Sequence, residues 1–208
     1  MRLKNLILIL AALTTMLVLT ACNFLEQSTG DQEKQAQETP DEQVAPEQAP
    51  QESGGGAPAV EPPSQDMFKL TIPQMERIKD DEIPTGPGTD ETLFHDYAAV
   101  HLENTGFPWE KEANVYIAGH RLGFENTNSY LAFWDLNELE QGDEFYITDS
   151  EGRKYTYEVF RKFVAAPDNL SVLAPIDGKN VVTLQTCTLP DYSSRLLVRA
   201  DLKGIEGA

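Results

Sequence analysis

Hydrophobic residues fall into three regimes along the chain. From Leu6 to Leu19 they form one run broken only by Thr14 and Thr15. After Leu25 large apolar side chains almost vanish until Met67. From there they return in short pulses with a two-residue period. Phe68-Lys69-Leu70-Thr71-Ile72 alternates apolar with polar and is closed by Pro73, the pattern of a half-buried strand. Val115 to Ala118 predicts another strand, ending on Gly119-His120-Arg121. Glu144 to Thr148 and Lys154 to Val164 flank the turn Asp149-Ser150-Glu151-Gly152 and predict a hairpin, with Tyr155, Tyr157 and Val159 on one face. Val181 to Thr186 and Arg195 to Leu202 complete the strands. A helical period intervenes over Glu91 to Val100, with Thr89 or Asp90 as N-cap and Leu93, Phe94, Tyr97 and Val100 on one face. Residues 84–90 read as a loop, and Tyr130 to Leu139 as a loop with a short helix. Many short strands with little helix predict a mainly β domain, a closed or nearly closed barrel of about eight strands.

Charge and composition divide the rest. Arg2 and Lys4 before the first apolar run, and a small residue at its end, predict an export signal over residues 1–21. The run is short for a free-standing transmembrane helix, which needs about 20 residues. Leu19-Thr20-Ala21-Cys22 resembles the lipobox of bacterial lipoproteins, which implies cleavage before Cys22 and its lipidation. An uncleaved signal anchor is the alternative. Residues 23–66 hold ten carboxylates against one lysine, with six prolines and Gly54-Gly55-Gly56. Such a segment buries too little apolar surface to offset its ordering entropy. Residues 22–66 therefore read as a lipidated cysteine and an acidic stalk, reaching roughly 35–40 Å as a flexible coil. Residues 67–208 suffice for one ordinary core. That domain keeps a net charge of -11 and has no basic patch, so a nucleic-acid role is excluded. Acidic clusters such as Asp80-Asp81-Glu82 read as solvated surface, so no cofactor or metal is expected, Ca²⁺ being possible but not indicated.

The two cysteines, Cys22 and Cys187, have separate local explanations, and a disulfide between a lipobox and a core strand is discarded. An exported domain then carries a single unpaired thiol, a sign of reactivity. The two-residue period puts Val181, Thr183, Gln185 and Cys187 on one face of their strand, with Cys187 at its end. An inert buried cysteine is the competing reading. Arg195 opens the next strand, which brings a guanidinium to the same end of the sheet if the two strands pair. A permanently charged donor there suits a developing oxyanion; an ordinary surface ion pair is the alternative. Arg199 shares that face but lies farther along. His120, at the end of its own strand, is a candidate proton carrier beside the thiol. His95 and His101 are its rivals, and the three histidines lack metal-ligand spacing.

Val115-Tyr116-Ile117-Ala118-Gly119-His120-Arg121, together with Val182-Thr183-Leu184-Gln185-Thr186-Cys187-Thr188 and the downstream Arg195, resembles the two active-site motifs of the sortases, surface transpeptidases of Gram-positive bacteria. Leu70-Thr71-Ile72-Pro73 and Gly142-Asp143 add to the likeness. Gly123-Phe124, Phe133 and Leu139 resemble the class E type. Two departures stand out: Ala113 occupies a position where many relatives have glycine, and a lipobox replaces the usual transmembrane anchor.

The resemblance implies a sortase-like β-barrel and an acyl transfer. Cys187 attacks the carbonyl of an LPxTG- or LAxTG-like sorting signal to form a thioacyl enzyme, Arg195 stabilises the oxyanion, and His120 serves as general acid and base. Gly119, Thr186 and Thr188 are expected beside the substrate. The acidic surface gives the thiol no general help in ionising, so only a fraction of the enzyme is expected as thiolate and imidazolium. Partners implied are proteins with C-terminal sorting signals and, as acceptor, a peptidoglycan precursor or pilin lysine amine. A monomer held by lipid at the extracellular face of the membrane is expected. The alternatives are a hydrolase-biased enzyme and a non-catalytic surface lipoprotein that keeps the barrel as a binding module.

Overall fold

The computed structural model describes residues 60–207. The expected signal peptide, Cys22 and most of the expected stalk lie outside the described residues. Nine strands form one sheet: β1 (Phe68–Thr71), β2 (Asp81–Ile83), β3 (Thr85–Gly86), β4 (Val100–Leu102), β5 (Ala113–Ala118), β6 (Glu144–Thr148), β7 (Lys154–Ala165), β8 (Asn180–Cys187) and β9 (Arg195–Glu206). Their order is β2-β1-β6-β7-β9-β8-β5-β4-β3. The two edge strands are thus consecutive in the chain, with Pro84 alone between them. The sheet must curl until its edges meet, and that seam is closed by covalent backbone rather than by a ladder. Proline suits the seam because it has no N–H to leave unpaired. Its carbonyl accepts from the backbone N–H of His101 at 2.9 Å.

The six longer strands coincide with the alternating pulses. Strands β2, β3 and β4 have two or three residues each and are too short to show a period. Side chains of Val115 and Ile117 on β5, Val182 and Leu184 on β8, and Val198 and Ala200 on β9 fill the barrel with Phe68, Leu70, Phe145, Tyr155 and Tyr157. The opposite face of β8 points outward, as the two-residue period requires. Thr183 on that face, and Asn114 on the neighbouring β5, are nevertheless buried. The connection from β7 to β8 folds over them through a 3₁₀ turn, Leu170–Leu173. Asn114 Nδ2 donates to the carbonyls of Val172 (2.9 Å) and Ala174 (3.1 Å), and Thr183 Oγ1 donates to Asn114 Oδ1 at 2.6 Å.

Several boundaries differ from the sequence reading: β9 runs on to Glu206 instead of ending at Leu202, and β3 lies within residues 84–90, which read as a loop. The folded part reaches back to Val60 rather than Met67. The Val60 N–H donates to the Trp109 carbonyl (3.2 Å), Arg153 Nη1 donates to the Glu61 carbonyl (2.7 Å), and Pro63 is buried. Backbone hydrogen bonds hold these residues, which composition does not register. The helix α1 spans Glu91–Asp96 only, capped by Asp90, whose carboxylate accepts from the N–H groups of Thr92 (2.9 Å) and Leu93 (3.2 Å). It stops short of Val100 because that residue pairs with Ala118 as part of β4.

Candidate active site

The pairing of β8 with β9 sets the first two candidate residues. Their antiparallel register places Cys187 directly opposite Arg195. Directly opposed residues project to the same face, so thiol and guanidinium stand side by side at the open end of the ladder. Arg195 Nη1 donates to the carbonyls of Tyr192 and Ser194, each at 3.3 Å. A guanidinium has five N–H donors, so most of its capacity is left for a ligand.

His120 arrives from the other side. Strand β5 runs parallel to β8, with Ala118 opposite Gln185. The Gly119 N–H extends that ladder to the Gln185 carbonyl (3.0 Å), and the buried Thr186 hydroxyl donates to the Gly119 carbonyl at 2.8 Å. One residue later the His120 carbonyl accepts from the Phe133 N–H at 3.0 Å. Only glycine fits before the histidine: a Cβ there would lie 2.9 Å from Phe133 Cγ and 3.1 Å from the Ala98 carbonyl oxygen.

Cys187, His120 and Arg195 line one cavity of about 180 Å³, together with Gly119, Thr186 and Glu91. The His120 ring makes T-shaped contacts with Phe94 (centroids 5.7 Å apart) and Phe124 (5.5 Å). Its Nε2 is buried without a hydrogen-bond partner. Burial disfavours the imidazolium and lowers the His120 pKa from its ordinary value, while the Glu91 carboxylate acts in the opposite direction. The site therefore holds a thiol, a partly desolvated imidazole and a guanidinium around a space of small-molecule size, groups whose chemistry suits acyl transfer.

The other candidates are placed elsewhere. Thr188 does not line the cavity; it closes the β8–β9 turn, its N–H donating to the Ser194 carbonyl at 3.0 Å. Thr186 lines it, but its hydroxyl is engaged by Gly119, which makes it a support for the histidine. His101 is fully buried between Thr85 Oγ1 and the Gly106 carbonyl, both at 3.0 Å. His95 lies on exposed helix surface with its Nδ1 2.7 Å from Asp96 Oδ1. Arg199 is spent on Thr183 Oγ1 (3.2 Å) and the Val172 carbonyl (2.8 Å). Asp81 Oδ2 accepts from the Lys79 N–H at 2.7 Å. The sequence reading did not single out Glu91 or Phe94 as part of the cavity. The helical period assigns Phe94 to the apolar face of α1, and nothing local separates Glu91 from the many other carboxylates.

Known proteins resemble this chain in both sequence and fold. The Sortase domain family model matches residues 70–203. The chain belongs to the sortase family. It is 30% identical over 90 residues to Sortase A of Streptococcus agalactiae serotype III, covering 43% of this chain and 36% of that protein. It is 29% identical over 137 residues to Sortase A of Bacillus anthracis, covering 65% of this chain and 59% of that one. The chain thus spans less than two thirds of the length of these relatives. Among solved structures, a lid mutant of Sortase A from Corynebacterium diphtheriae superposes with a TM-score of 0.57 at 27% identity, covering 69% of this chain and 73% of that one. The mainly β, nearly closed barrel is the fold of that family. Within it Phe133 and Leu139 are core residues, and Gly123 has φ of 66° against Ser129, so these positions shape the loop behind His120.

Proposed function

We propose that the protein is a class E-like sortase transpeptidase that cleaves an LPxTG- or LAxTG-like sorting signal and transfers the protein upstream of the cut to an amine. The observation that carries this reading is the shared cavity of Cys187, His120 and Arg195. In the first half-reaction the Cys187 thiolate attacks the Thr–Gly carbonyl carbon, and Arg195 donates to the developing oxyanion. The C–N bond then breaks, and the His120 imidazolium gives its proton to the departing glycine amine, leaving a thioester. In the second half-reaction an acceptor amine attacks the thioester carbon and yields a proton to His120. The C–S bond breaks and the thiolate returns.

The acceptor in this reading is a peptidoglycan precursor or a pilin lysine. The export signal and the lipobox at Cys22 support a lipid-anchored enzyme on the extracellular face of the membrane, working as a monomer at the end of its acidic stalk.

The test is a fluorogenic panel of LPxTG and LAxTG peptides, with mass spectrometry of the enzyme. We expect a thioacyl adduct on Cys187 and turnover that Cys187→Ala abolishes. An absence of adduct across the panel, with amine acceptors present, would reject the reading in favour of a binding module.

A further inference from the structure

Strand β9 carries Arg195 and Arg199 on one face, and β7 lies against it on the side away from β8. There Arg161 of β7 is directly opposed to Arg199. Like charges in directly opposed positions cost stability. A carboxylate would relieve that cost, yet neither guanidinium forms a salt bridge among the described residues. The next pair on the same face of the ladder, Glu158 and Asp201, is already engaged: Lys203 holds Glu158 (3.2 Å) and Lys179 holds Asp201 (3.0 Å). Both guanidiniums pack on Phe163, with Arg161 Cζ 4.5 Å and Arg199 Cζ 5.3 Å from its ring centroid. Arg199 is held in place by Thr183 Oγ1 and the Val172 carbonyl, whereas Arg161 is exposed. Burial, and after it the charge of Arg161, lowers the Arg199 pKa from its ordinary value. A strongly acidic chain thus keeps two uncompensated cations on the face that also bears Arg195.

We infer that this flank of β7 and β9, at Arg161, Phe163 and Arg199, binds a carboxylate-bearing segment of the acyl-donor protein just upstream of its sorting signal. This rests on the transpeptidase reading above. Charge sets the chemistry of the occupant: the exposed Arg161 fork can take a carboxylate with two hydrogen bonds, and the fixed Arg199 adds to its field. The strand order sets which part of the donor lies there. In that reading the departing amine goes to His120, at the end of β5 on one side of β8. The acyl portion therefore lies toward β9 and β7 on the other side. Spacing narrows the position further. Arg199 lies opposite Thr183, and Arg195 opposite Cys187, four strand residues or roughly 13 Å apart. Counting back the same extended distance from the threonine joined to Cys187 passes the x, Pro or Ala, and Leu positions. It reaches the residue immediately before the signal, where an aspartate or glutamate side chain would meet Arg161.

The experiment measures kcat/KM of the full chain for peptides that share one sorting signal and differ only in the short segment before it: acidic, neutral or lysine-bearing. The wild type is expected to favour the acidic peptide over the neutral one about fivefold, the size of a partly exposed charge pair. The preference should lie in KM, as binding common to ground and transition states does, and should fade with added salt. Arg161→Gln should erase it while turning over the neutral peptide as the wild type does, which reports an intact fold and Cys187 cavity. Arg161→Glu should reverse it in favour of the lysine peptide. An acidic-to-neutral ratio equal in the wild type and both variants would overturn the inference and leave the transpeptidase reading intact. A wild type indifferent to upstream charge, with Arg161→Glu faster on every peptide alike, would also overturn it and assign the face to the chain's own acidic segment before Val60. Failure of the wild type to form a Cys187 adduct with any of the peptides would instead sink the transpeptidase reading.

Discussion

Cys187 and Arg195 are directly opposed across the antiparallel β8–β9 ladder, so the backbone register alone holds the thiol beside the guanidinium. The turn between them is fixed by Thr188: its carbonyl accepts from the Tyr192 N–H (3.0 Å) and its hydroxyl from the Ser194 N–H (3.2 Å). Neither side chain depends on the other for its placement, which allows their contributions to be separated by substitution.

If Arg195 serves the oxyanion, Arg195→Lys retains the charge but loses the planar fork. Acylation by a sorting-signal peptide should fall about 10²- to 10³-fold, with little change in thermal stability. Pre-steady-state release of the leaving peptide measures it. A lysine variant that acylates at the wild-type rate would exclude the oxyanion role.

The His120 ring should titrate below the ordinary histidine value, because burial disfavours its charged form. The sign follows directly: the neutral ring is the form the fold favours, so the associated stability is full above the ordinary value and is lost as pH falls through the lowered one. Imidazole proton shifts followed by NMR give the midpoint, and Glu91→Gln should move it further down. A wild-type midpoint above that of a free histidine would contradict the desolvated placement.

Thr186 holds the backbone that presents the histidine. Thr186→Val preserves shape but removes the donor to the Gly119 carbonyl, leaving a buried acceptor unpaired at a cost of about 1–3 kcal/mol. Activity should fall, and Thr186→Ser should restore it. Denaturation midpoints together with kcat separate support from substrate contact; a valine variant with wild-type stability and raised KM alone would favour contact.

Acid should weaken the barrel seam through His101, whose pKa burial lowers to about 4. The neutral ring links Thr85 on β3 to Gly106, so its contribution is complete above the ordinary value of 6.5 and is lost as pH falls toward about 4. The span corresponds to about 3 kcal/mol. Urea midpoints between pH 7 and 4 for wild type and His101→Gln should converge as pH drops. Parallel curves would show that His101 does not titrate in this range.

The sequence by itself determined the six longer strands, which residues share a face along β7 and β8, the acidic character of the chain and the three residues at strand ends that meet in the cavity. Those are local properties: a two-residue period, a charge count, a small or polar residue where a strand stops. What it left open was decided by pairing between distant segments. The parallel placement of β5 beside β8 brings His120 to Cys187, and no residue in either strand encodes that partner choice alone. Strands β2, β3 and β4 exist because neighbours supply their hydrogen bonds. Val100 leaves the helical pattern for the same reason, and residues 60–66 join the fold through backbone contacts that composition does not reveal. Glu91 is one carboxylate among many in the chain and becomes distinctive only when folding sets it in the cavity of Cys187, beside a histidine packed against two phenylalanines.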